Sequence, residues 1–311
     1  MTQKKIAIIG ECMIELSGKG DNLLRRGFGG DTLNTAVYLA RQTNEAQLSV
    51  DYVTALGVDS FSEQMIKAWQ QEGIKTDLIQ RLADKMPGLY VIETDEQGER
   101  TFWYWRSDAA ARYWLDSPQS DPIVGQLVGY DYLYLSGISL AILPAESRSK
   151  LMLLLDRCRD NGGKIIFDNN YRPRLWQDKA SAQQAYRAML QRTDLAFLTL
   201  DDEQLLWGEH PATAVIERTR EAGVDEIVIK RGADSCLIAH GDDAFIEVPA
   251  TCLEKGKIID TTAAGDSFSA GYLSQRLTGH SPQASAERGH LTASTVIQHR
   301  GAIIPPEAMP D

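Results

Sequence analysis

The segment Asp260-Thr-Thr-Ala-Ala-Gly-Asp266 leads directly into Ser267-Phe-Ser-Ala-Gly-Tyr-Leu-Ser-Gln-Arg276. Apolar residues recur at helical spacing in the second stretch, so small residues precede the start of a predicted helix. Ala263, Ala264 and Gly265 would let backbone N–H groups approach an anion, which the positive end of the helix dipole attracts. The junction therefore indicates a phosphate site at a helix start.

Asp266 closes this heptad at the same helix start. A carboxylate beside a bound phosphate is electrostatically unfavourable, so its presence there indicates a chemical role. Taking a proton from an attacking hydroxyl group is such a role. The alternative is an ordinary capped helix with small packing residues, and the heptad alone does not separate the two. Other segments must decide between them.

The composition is that of a globular protein, with 311 residues of which 43% are hydrophobic and 24% charged. The formal net charge of −11 argues against long-range attraction to nucleic acid or an anionic membrane. Neither a signal-peptide core nor a membrane-spanning apolar run occurs, which predicts a cytoplasmic protein without a membrane partner. The cysteines and histidines lack metal-ligand spacing, and we expect all four cysteines to be buried structural thiols.

Short apolar runs alternate with amphipathic segments along the chain. The predicted strands cover residues 5–9, 132–135, 164–167, 195–198 and 226–229, and two clear helices cover residues 147–159 and 180–191. Runs that are apolar at nearly every position suit strands buried on both faces. The alternation predicts an α/β fold with a mostly parallel sheet flanked by helices.

Residues 88–106 break this alternation and predict an antiparallel hairpin, with strands at 88–94 and 99–106 and a turn at 95–98. Period two puts Phe102, Tyr104 and Arg106 on one face and Thr101, Trp103 and Trp105 on the other. A two-stranded ribbon is marginal alone, so both aromatic faces should cover something. We interpret the hairpin as a lid, whose faces cover the domain, a ligand or a second subunit in a homo-oligomer.

The heptad resembles the Asp-Thr-x-Gly-Ala-Gly-Asp signature of the ribokinase-like (PfkB) carbohydrate kinases. Ala263 departs from that pattern, standing where the family usually has glycine, and its methyl group requires a negative φ. The resemblance implies a three-layer α/β/α fold with a small β lid, and ATP and Mg²⁺ as cofactors. It also implies a single kinase domain over residues 1–311, with the lid at about residues 11–33 and 86–113.

Three more segments match the family in the same order along the chain, so the resemblance spans almost all of it. Gly10-Glu-Cys-Met-Ile-Glu15 is similar to the family's opening, although its acids could simply be solvated. Phe28-Gly-Gly-Asp-Thr-Leu-Asn34 resembles the substrate motif, with a glycine turn and a helix cap as the alternative. Lys230-Arg-Gly-Ala-Asp-Ser235 resembles the ATP loop, with an ordinary strand exit as the alternative.

The resemblance implies a role for each matching residue. The anion hole would be formed by Ala263, Ala264 and Gly265 beside the base Asp266. The substrate would contact Gly29, Gly30, Asn34, Tyr90, Tyr104, Arg106, Arg172 and Asp266. The nucleotide would contact Asn170, Arg172, Lys230, Arg231, Gly232, Ala233, Asp234, Ser235 and the anion hole. The family's Asn-x-x-Glu metal motif stands here as Leu200-Asp-Asp-Glu203, so Glu203 would act through water, or would only cap the helix that follows.

Phe167-Asp-Asn-Asn-Tyr-Arg-Pro-Arg-Leu-Trp176 follows a predicted buried strand, at the edge where ligands of open α/β sheets bind. Arg172 and Arg106, with the phenols of Tyr90 and Tyr104, would suit a carboxylate that also carries hydroxyl groups. A surface ion pair is the alternative for either arginine. Within the family, these segments are similar to the 2-keto-3-deoxygluconate kinases, which implies phosphorylation of a small acidic sugar at its 6-hydroxyl.

Three other functions remain open. A related kinase of the fructokinase or ribokinase type would not need the paired arginines. A dinucleotide-dependent oxidoreductase would share the parallel α/β pattern, but Ile9-Gly-Glu-Cys-Met13 stands where G-x-G-x-x-G is expected. A sugar sensor would keep the fold and bind its ligand without turnover.

Overall fold

The computed structural model describes residues 3–18, 23–94, 100–241, 244–254 and 256–310. The strands in these ranges are β1 (Lys4–Ile9), β2 (Met13–Gly18), β3 (Leu24–Gly29), β4 (Leu48–Leu56), β5 (Ile79–Arg81), β6 (Leu89–Thr94), β7 (Arg100–Trp105), β8 (Tyr132–Ser136), β9 (Lys164–Asp168), β10 (Leu195–Thr199), β11 (Glu226–Lys230), β12 (Cys236–His240) and β13 (Ile246–Val248). The helices are α1 (Asp31–Gln42), α2 (Ser60–Gln71), α3 (Ser120–Leu127), α4 (Gly137–Ala141), α5 (Ala145–Asp160), α6 (Lys179–Leu190), α7 (Leu200–Trp207), α8 (Ala212–Glu221), α9 (Ala264–Arg276) and α10 (Pro282–Val296). Within the described ranges, no helix combines the length and the apolar character needed to cross a bilayer.

The larger sheet has the strand order β13-β12-β11-β10-β9-β8-β1-β4-β5. Its strands run parallel from β11 to β5, and β12 and β13 add an antiparallel edge. The chain runs from β1 to β4 and β5 on one side and then returns to β8 on the other. A crevice therefore opens beyond the carboxyl ends of β1 and β8, where ligands of such sheets bind.

Side chains of the larger sheet alternate between two apolar cores, as the period of two in a strand requires. Ala7 and Ile9 belong to the core that includes residues of α3, α5, α6 and α8. Ile6 and Ile8 belong to the core that includes residues of α1, α2, α9 and α10. The predicted α/β class, the mostly parallel sheet and the three-layer α/β/α arrangement are confirmed.

A second sheet of four strands, in the order β3-β2-β6-β7, forms the predicted lid. β6 and β7 pair antiparallel, with Tyr90 opposite Tyr104, so the hairpin is confirmed. The predicted turn at 95–98 lies outside the described residues, as do residues 19–22 of the predicted lid. The division of the chain into domain and lid by residue number stays a prediction.

Ala263 immediately precedes α9 and has φ 61° and ψ 15°, in the left-handed region. The expectation of a negative φ at this alanine was therefore wrong. A left-handed residue next to helical residues turns successive N–H groups toward one point, which makes an anion-binding concavity. The methyl group of Ala263 is tolerated there at a cost of about 1–2 kcal/mol.

We expect Ala263→Gly to raise the free energy of unfolding by about 0.5–1 kcal/mol, because relief of the left-handed conformation exceeds the entropy that glycine loses on folding. Denaturant titration measures the change. The control is Ala284→Gly within α10, which should lower the free energy of unfolding by about 1 kcal/mol. Equal destabilisation by both substitutions would contradict the assignment of strain to Ala263.

Candidate active site

A cleft of about 1710 Å³ lies between the lid and the carboxyl edge of the larger sheet. Its lining includes the following residues with predicted roles: Gly29, Gly30, Asn34, Tyr90, Tyr104, Arg106, Asn170, Arg172, Lys230, Arg231, Gly232, Ala233, Ala263, Ala264, Gly265 and Asp266. Asp234, Ser235 and Glu203 are not among the described residues that line it. The structure thus brings residues of separate motifs to one site, and their individual roles stay predictions.

Asp266 lies in the first turn of α9, beside the first N–H groups of the helix, which have no partner within the helix. Burial and then the negative charge of Asp31 raise the pKa of Asp266 to about 7. Asp168 adds to the rise, whereas the hydrogen bond from Asn34 and the charge of Lys230 oppose it. A carboxyl group with a pKa near the working pH is well suited to general base catalysis.

Asn34 orients this carboxyl group, since its Nδ2 donates to Asp266 Oδ2 at 2.8 Å. Asn34 Oδ1 is buried and accepts no hydrogen bond from the described residues. The Asn34 amide therefore holds the candidate base with one end and offers an acceptor with the other.

Gly29 and Gly30, where β3 meets α1, lie close to the lid and to the segment between β1 and β2. A methyl group on Gly29 would lie 2.1 Å from Tyr90 Oη, and one on Gly30 would lie 2.2 Å from the backbone oxygen of Glu11. Contacts this short do not occur, so a larger residue at Gly30 would have to move the backbone at Glu11, and one at Gly29 would have to move the Tyr90 side chain within the lid. The two glycines are required by packing within the protein, whether or not a ligand approaches them.

Arg106 follows β7 and donates through Nη2 to Glu11 Oε2. Glu11 is 2% exposed, so the alternative that the acids of this segment are simply solvated is excluded for Glu11. Burial raises the pKa of Glu11, and the charge of Arg106 and its hydrogen bond oppose that rise. Arg106 is thus in an ion pair, but a buried one rather than the surface pair considered as the alternative.

The segment after β9 carries Asn170 and Arg172 into the cleft. Asn170 Nδ2 donates to Asp31 Oδ2 at 2.5 Å, and Asn170 has φ 22°, which asparagine tolerates better than most residues. Arg172 Nη1 lies 3.3 Å from Asp202 Oδ1, and the Arg172 side chain is 51% exposed. Arg172 is therefore tethered at one end of its guanidinium while much of that group faces solvent.

The loop after β11 begins with Lys230, whose Nζ donates to Asp168 Oδ2 at 2.7 Å. Gly232 has φ 63°, in the region that favours glycine. Ser235 is not among the described residues that line the cleft, and its hydroxyl is hydrogen-bonded to Arg231 and Glu247. Residues 230–233 of this loop therefore line the cleft, whereas Asp234 and Ser235 do not.

An apolar part of the cleft comes from the segment after β13 and from α10. The residues are Ala250, Leu253, Ile258, Ala293 and Ile297. Cys252 lies among them and is exposed, whereas Cys12, Cys158 and Cys236 are buried. The expectation of four buried thiols was wrong for Cys252, which stands in an irregular segment at the cleft surface.

Glu203 lies in the first turn of α7 and is buried. Its Oε1 accepts from Asn169 Nδ2 at 3.0 Å, and its Oε2 accepts from Arg218. Within the described residues, no group of three or more His, Cys, Asp or Glu could hold a metal ion. Both oxygens of Glu203 are thus engaged by the protein, and its link to a metal through water stays a prediction.

Four acids of the site were assigned no role from the sequence, although all of them stand inside the quoted motifs: Asp31, Asp168, Asp202 and Glu11. A signal was present, because each acid is next to a residue that was assigned a role or lies in a matched segment. Their partners come from distant parts of the chain, as with Asp31 and Asn170, so the pairing itself could not be read locally.

The chain matches the pfkB family carbohydrate kinase model over residues 3–309. It is 68% identical over 310 residues to a 2-dehydro-3-deoxygluconokinase of Dickeya dadantii (strain 3937), covering 100% of both chains. It is 65% identical to the enzyme of the same name from Escherichia coli (strain K12), covering 99% of both. A solved fructokinase with bound ATP from Xylella fastidiosa superposes with a TM-score of 0.82 at 22% identity, covering 99% of this chain and 95% of that one. The chain therefore belongs to the pfkB family of carbohydrate kinases.

Proposed function

We propose that this protein is an ATP-dependent 2-dehydro-3-deoxygluconokinase. It transfers the γ-phosphoryl group of ATP to the 6-hydroxyl of 2-keto-3-deoxygluconate, giving ADP and 2-keto-3-deoxy-6-phosphogluconate. The observation that carries the proposal is the full-length identity of 68% to a protein of that name. The geometry of the cleft is compatible with each part of the reaction.

Asp266 accepts the proton of the attacking hydroxyl group, whose oxygen forms the new bond to phosphorus as the bond to ADP breaks. The N–H groups of Gly265 and Asp266, in the first turn of α9, would stabilise the charge on the oxygens of the transferred group, whereas the Ala264 N–H already donates to the Thr261 backbone oxygen at 3.2 Å. Asn34 keeps the carboxylate oriented during this step. Most of the catalysis then comes from positioning and from electrostatic stabilisation.

ATP would lie with its phosphates between Lys230 and the start of α9, and with its base toward the apolar part of the cleft. Magnesium commonly enters with the nucleotide, bound by phosphates, waters and one or two carboxylates, which fits a cleft without a preformed metal cage in the described residues. When bound, it neutralises charge on the phosphate oxygens. Glu203 would contribute only through water, since Asn169 and Arg218 occupy its oxygens.

The acidic sugar would meet Arg106 and Arg172 with the phenols of Tyr90 and Tyr104. Each arginine already has a carboxylate partner, but a guanidinium has five N–H donors and one partner leaves several free. Arg172, for example, is held through Nη1 by Tyr171 and Asp202, and its side chain is 51% exposed. The free donors support recognition of a carboxylate together with hydroxyl groups.

The outer face of the lid supports a homo-oligomer. Leu24, Trp103 and Trp105 expose large apolar side chains on this small sheet, with Trp105 62% exposed. Exposed aromatic surface of this kind is typical of protein interfaces. A second copy of the chain that covered this face of the lid would bury these exposed apolar side chains.

The function is tested by ATP-dependent phosphorylation of 2-keto-3-deoxygluconate, with the phosphate position determined by NMR. We expect Arg172→Gln to raise KM for this acid about tenfold or more while a neutral sugar such as fructose is affected less than about twofold, because a charged hydrogen bond is lost only for the acid. Arg25→Gln, an exposed lid arginine outside the cleft, is the control. Equal or better turnover of neutral sugars by the unaltered protein would refute the substrate assignment.

Asp266→Asn should keep ligand binding but lower kcat at least about a hundredfold, as expected for loss of a general base. Calorimetry of sugar and nucleotide binding separates this outcome from misfolding. Asn34 can still donate to the new amide oxygen, so the local geometry is kept. Near-normal kcat would exclude Asp266 as the base.

Light scattering should give the unaltered protein a mass of at least two chains, and Trp105→Lys should shift it toward one chain. The control is Leu153→Lys, which puts the same charge on an equally exposed apolar residue of α5. A single-chain mass for the unaltered protein would remove the lid interface from consideration.

A further inference from the structure

Three elements meet on one buried carboxylate oxygen at the edge of the cleft. Lys230 at the end of β11 donates to Asp168 Oδ2 at 2.7 Å, and Ser269 of α9 donates to the same oxygen at 3.0 Å. The Asp168 and Lys230 side chains are 5% and 11% exposed, and Ser269 is fully buried. The lysine is thus fixed from two sides.

The Lys230 ammonium stands beside the anion site. A methyl group on Gly265 would lie 3.4 Å from Lys230 Nζ, so the ammonium is close to the first turn of α9. An ammonium has three N–H donors. Asp168 takes one and Ser269 Oγ, at 3.5 Å, takes at most a weak second, which leaves a donor for a ligand at Gly265.

A purely structural ion pair is the competing explanation. Removing two charges from water costs several kcal/mol per ion, and apolar residues often replace such a pair without loss of stability. Lys230 and Asp168 both line the cleft rather than lying deep in the core. Their placement fits a site that must hold an anion better than it fits a stabilising contact.

We propose that Lys230 contacts the phosphoryl group during transfer and that Asp168 is a positioning residue which holds the Lys230 ammonium against the start of α9. The proposal rests on the proposed kinase function and deepens it. A flexible lysine would populate many positions, whereas Asp168 and Ser269 select the one beside Gly265. Positioning of this kind lowers the reaction barrier because the ordering is completed before the reaction.

The pair also acts on the candidate base. The titratable and charged groups that face Asp266 are Asp31 and Tyr38 from α1, Tyr134 from β8, Asp168 from β9 and Lys230 from β11. Burial and Asp31 raise the pKa of Asp266 most; Asp168 raises it further and Lys230 lowers it. Removing Asp168 or Lys230 should therefore move the pKa of the base in opposite directions.

A double-mutant cycle tests the positioning role. We expect Lys230→Met to lower kcat about a hundredfold, as loss of a donor to the transition state does. Asp168→Asn, which keeps an acceptor for Ser269, should lower kcat about tenfold. In the Lys230→Met background, at a pH where Asp266 is fully ionised in every variant, Asp168→Asn should change kcat less than about twofold, because the positioning effect of Asp168 requires the lysine. Equal effects of Asp168→Asn in both backgrounds would overturn the proposal.

The pH dependence of kcat/KM gives a second readout, which reports how the charges of Asp168 and Lys230 act on Asp266. The unaltered protein should lose activity below about pH 7, as Asp266 becomes protonated. The acid limb should move to lower pH in Asp168→Asn and to higher pH in Lys230→Met. The control is Glu226→Gln. Glu226 begins β11, about 13 Å from Lys230 at the end of that strand, and it forms a separate, partly buried ion pair with Arg276 of α9. This substitution should leave the limb in place, and limbs that move together in all three variants would contradict the proposal.

Nucleotide binding without sugar separates this proposal from the substrate assignment. By calorimetry with Mg²⁺, the ratio of ATP to ADP affinity should fall about tenfold in Lys230→Met, since the lysine meets the terminal phosphoryl group. An unchanged ratio would refute the phosphate contact. A lowered ratio in a protein that fails to phosphorylate 2-keto-3-deoxygluconate would instead reject only the substrate.

Discussion

The cleft depends on pairing its own carboxylates with donors from other elements. A chain of net charge −11 with a cleft proposed to bind two anions must hold each nearby acid in place, or the acids would repel the ligands and one another. Asp31 is held by Asn170 at 2.5 Å, Asp266 by Asn34 at 2.8 Å, and Asp168 by Lys230. In each of these pairs the two residues are far apart in sequence, so the pairs that make the charge tolerable also fix the shape of the cleft.

The sheet explains why these distant residues meet. Its strand order reverses between β1 and β8, and the segments that leave the carboxyl ends of β1, β9 and β11 all enter the same crevice. Asp168 and Lys230 are the last residues of their strands, on either side of β10. Residues of β10 pack in both cores and hold this strand in place between β9 and β11. The separation of the two strand ends, and with it the ion pair between Asp168 and Lys230, is therefore fixed by the sheet.

The fold was largely predictable from the sequence, because strands buried on both faces show as apolar runs and the aromatic hairpin shows as a break in that pattern. The site was predictable as a set of motifs but not as a set of contacts. Glu11 gives no local sign of burial, since its partner Arg106 is 95 residues away. The left-handed Ala263 was missed because propensity favours negative φ for alanine, and only tertiary packing can impose the opposite.

Two unfavourable features coincide at the start of α9, a left-handed alanine and a carboxyl group whose pKa is raised to about 7 by burial and by Asp31. Neither would persist unless the remainder of the helix were firmly held. Phe268, Tyr272 and Leu273 are buried in the core, and Glu226 anchors the far end of α9 through Tyr272 and Arg276. Apolar packing along the helix thus stabilises a first turn that is unfavourable by itself. This arrangement is expected where a protein positions reacting groups, since the geometry that suits the ligand is not the geometry that the free chain prefers.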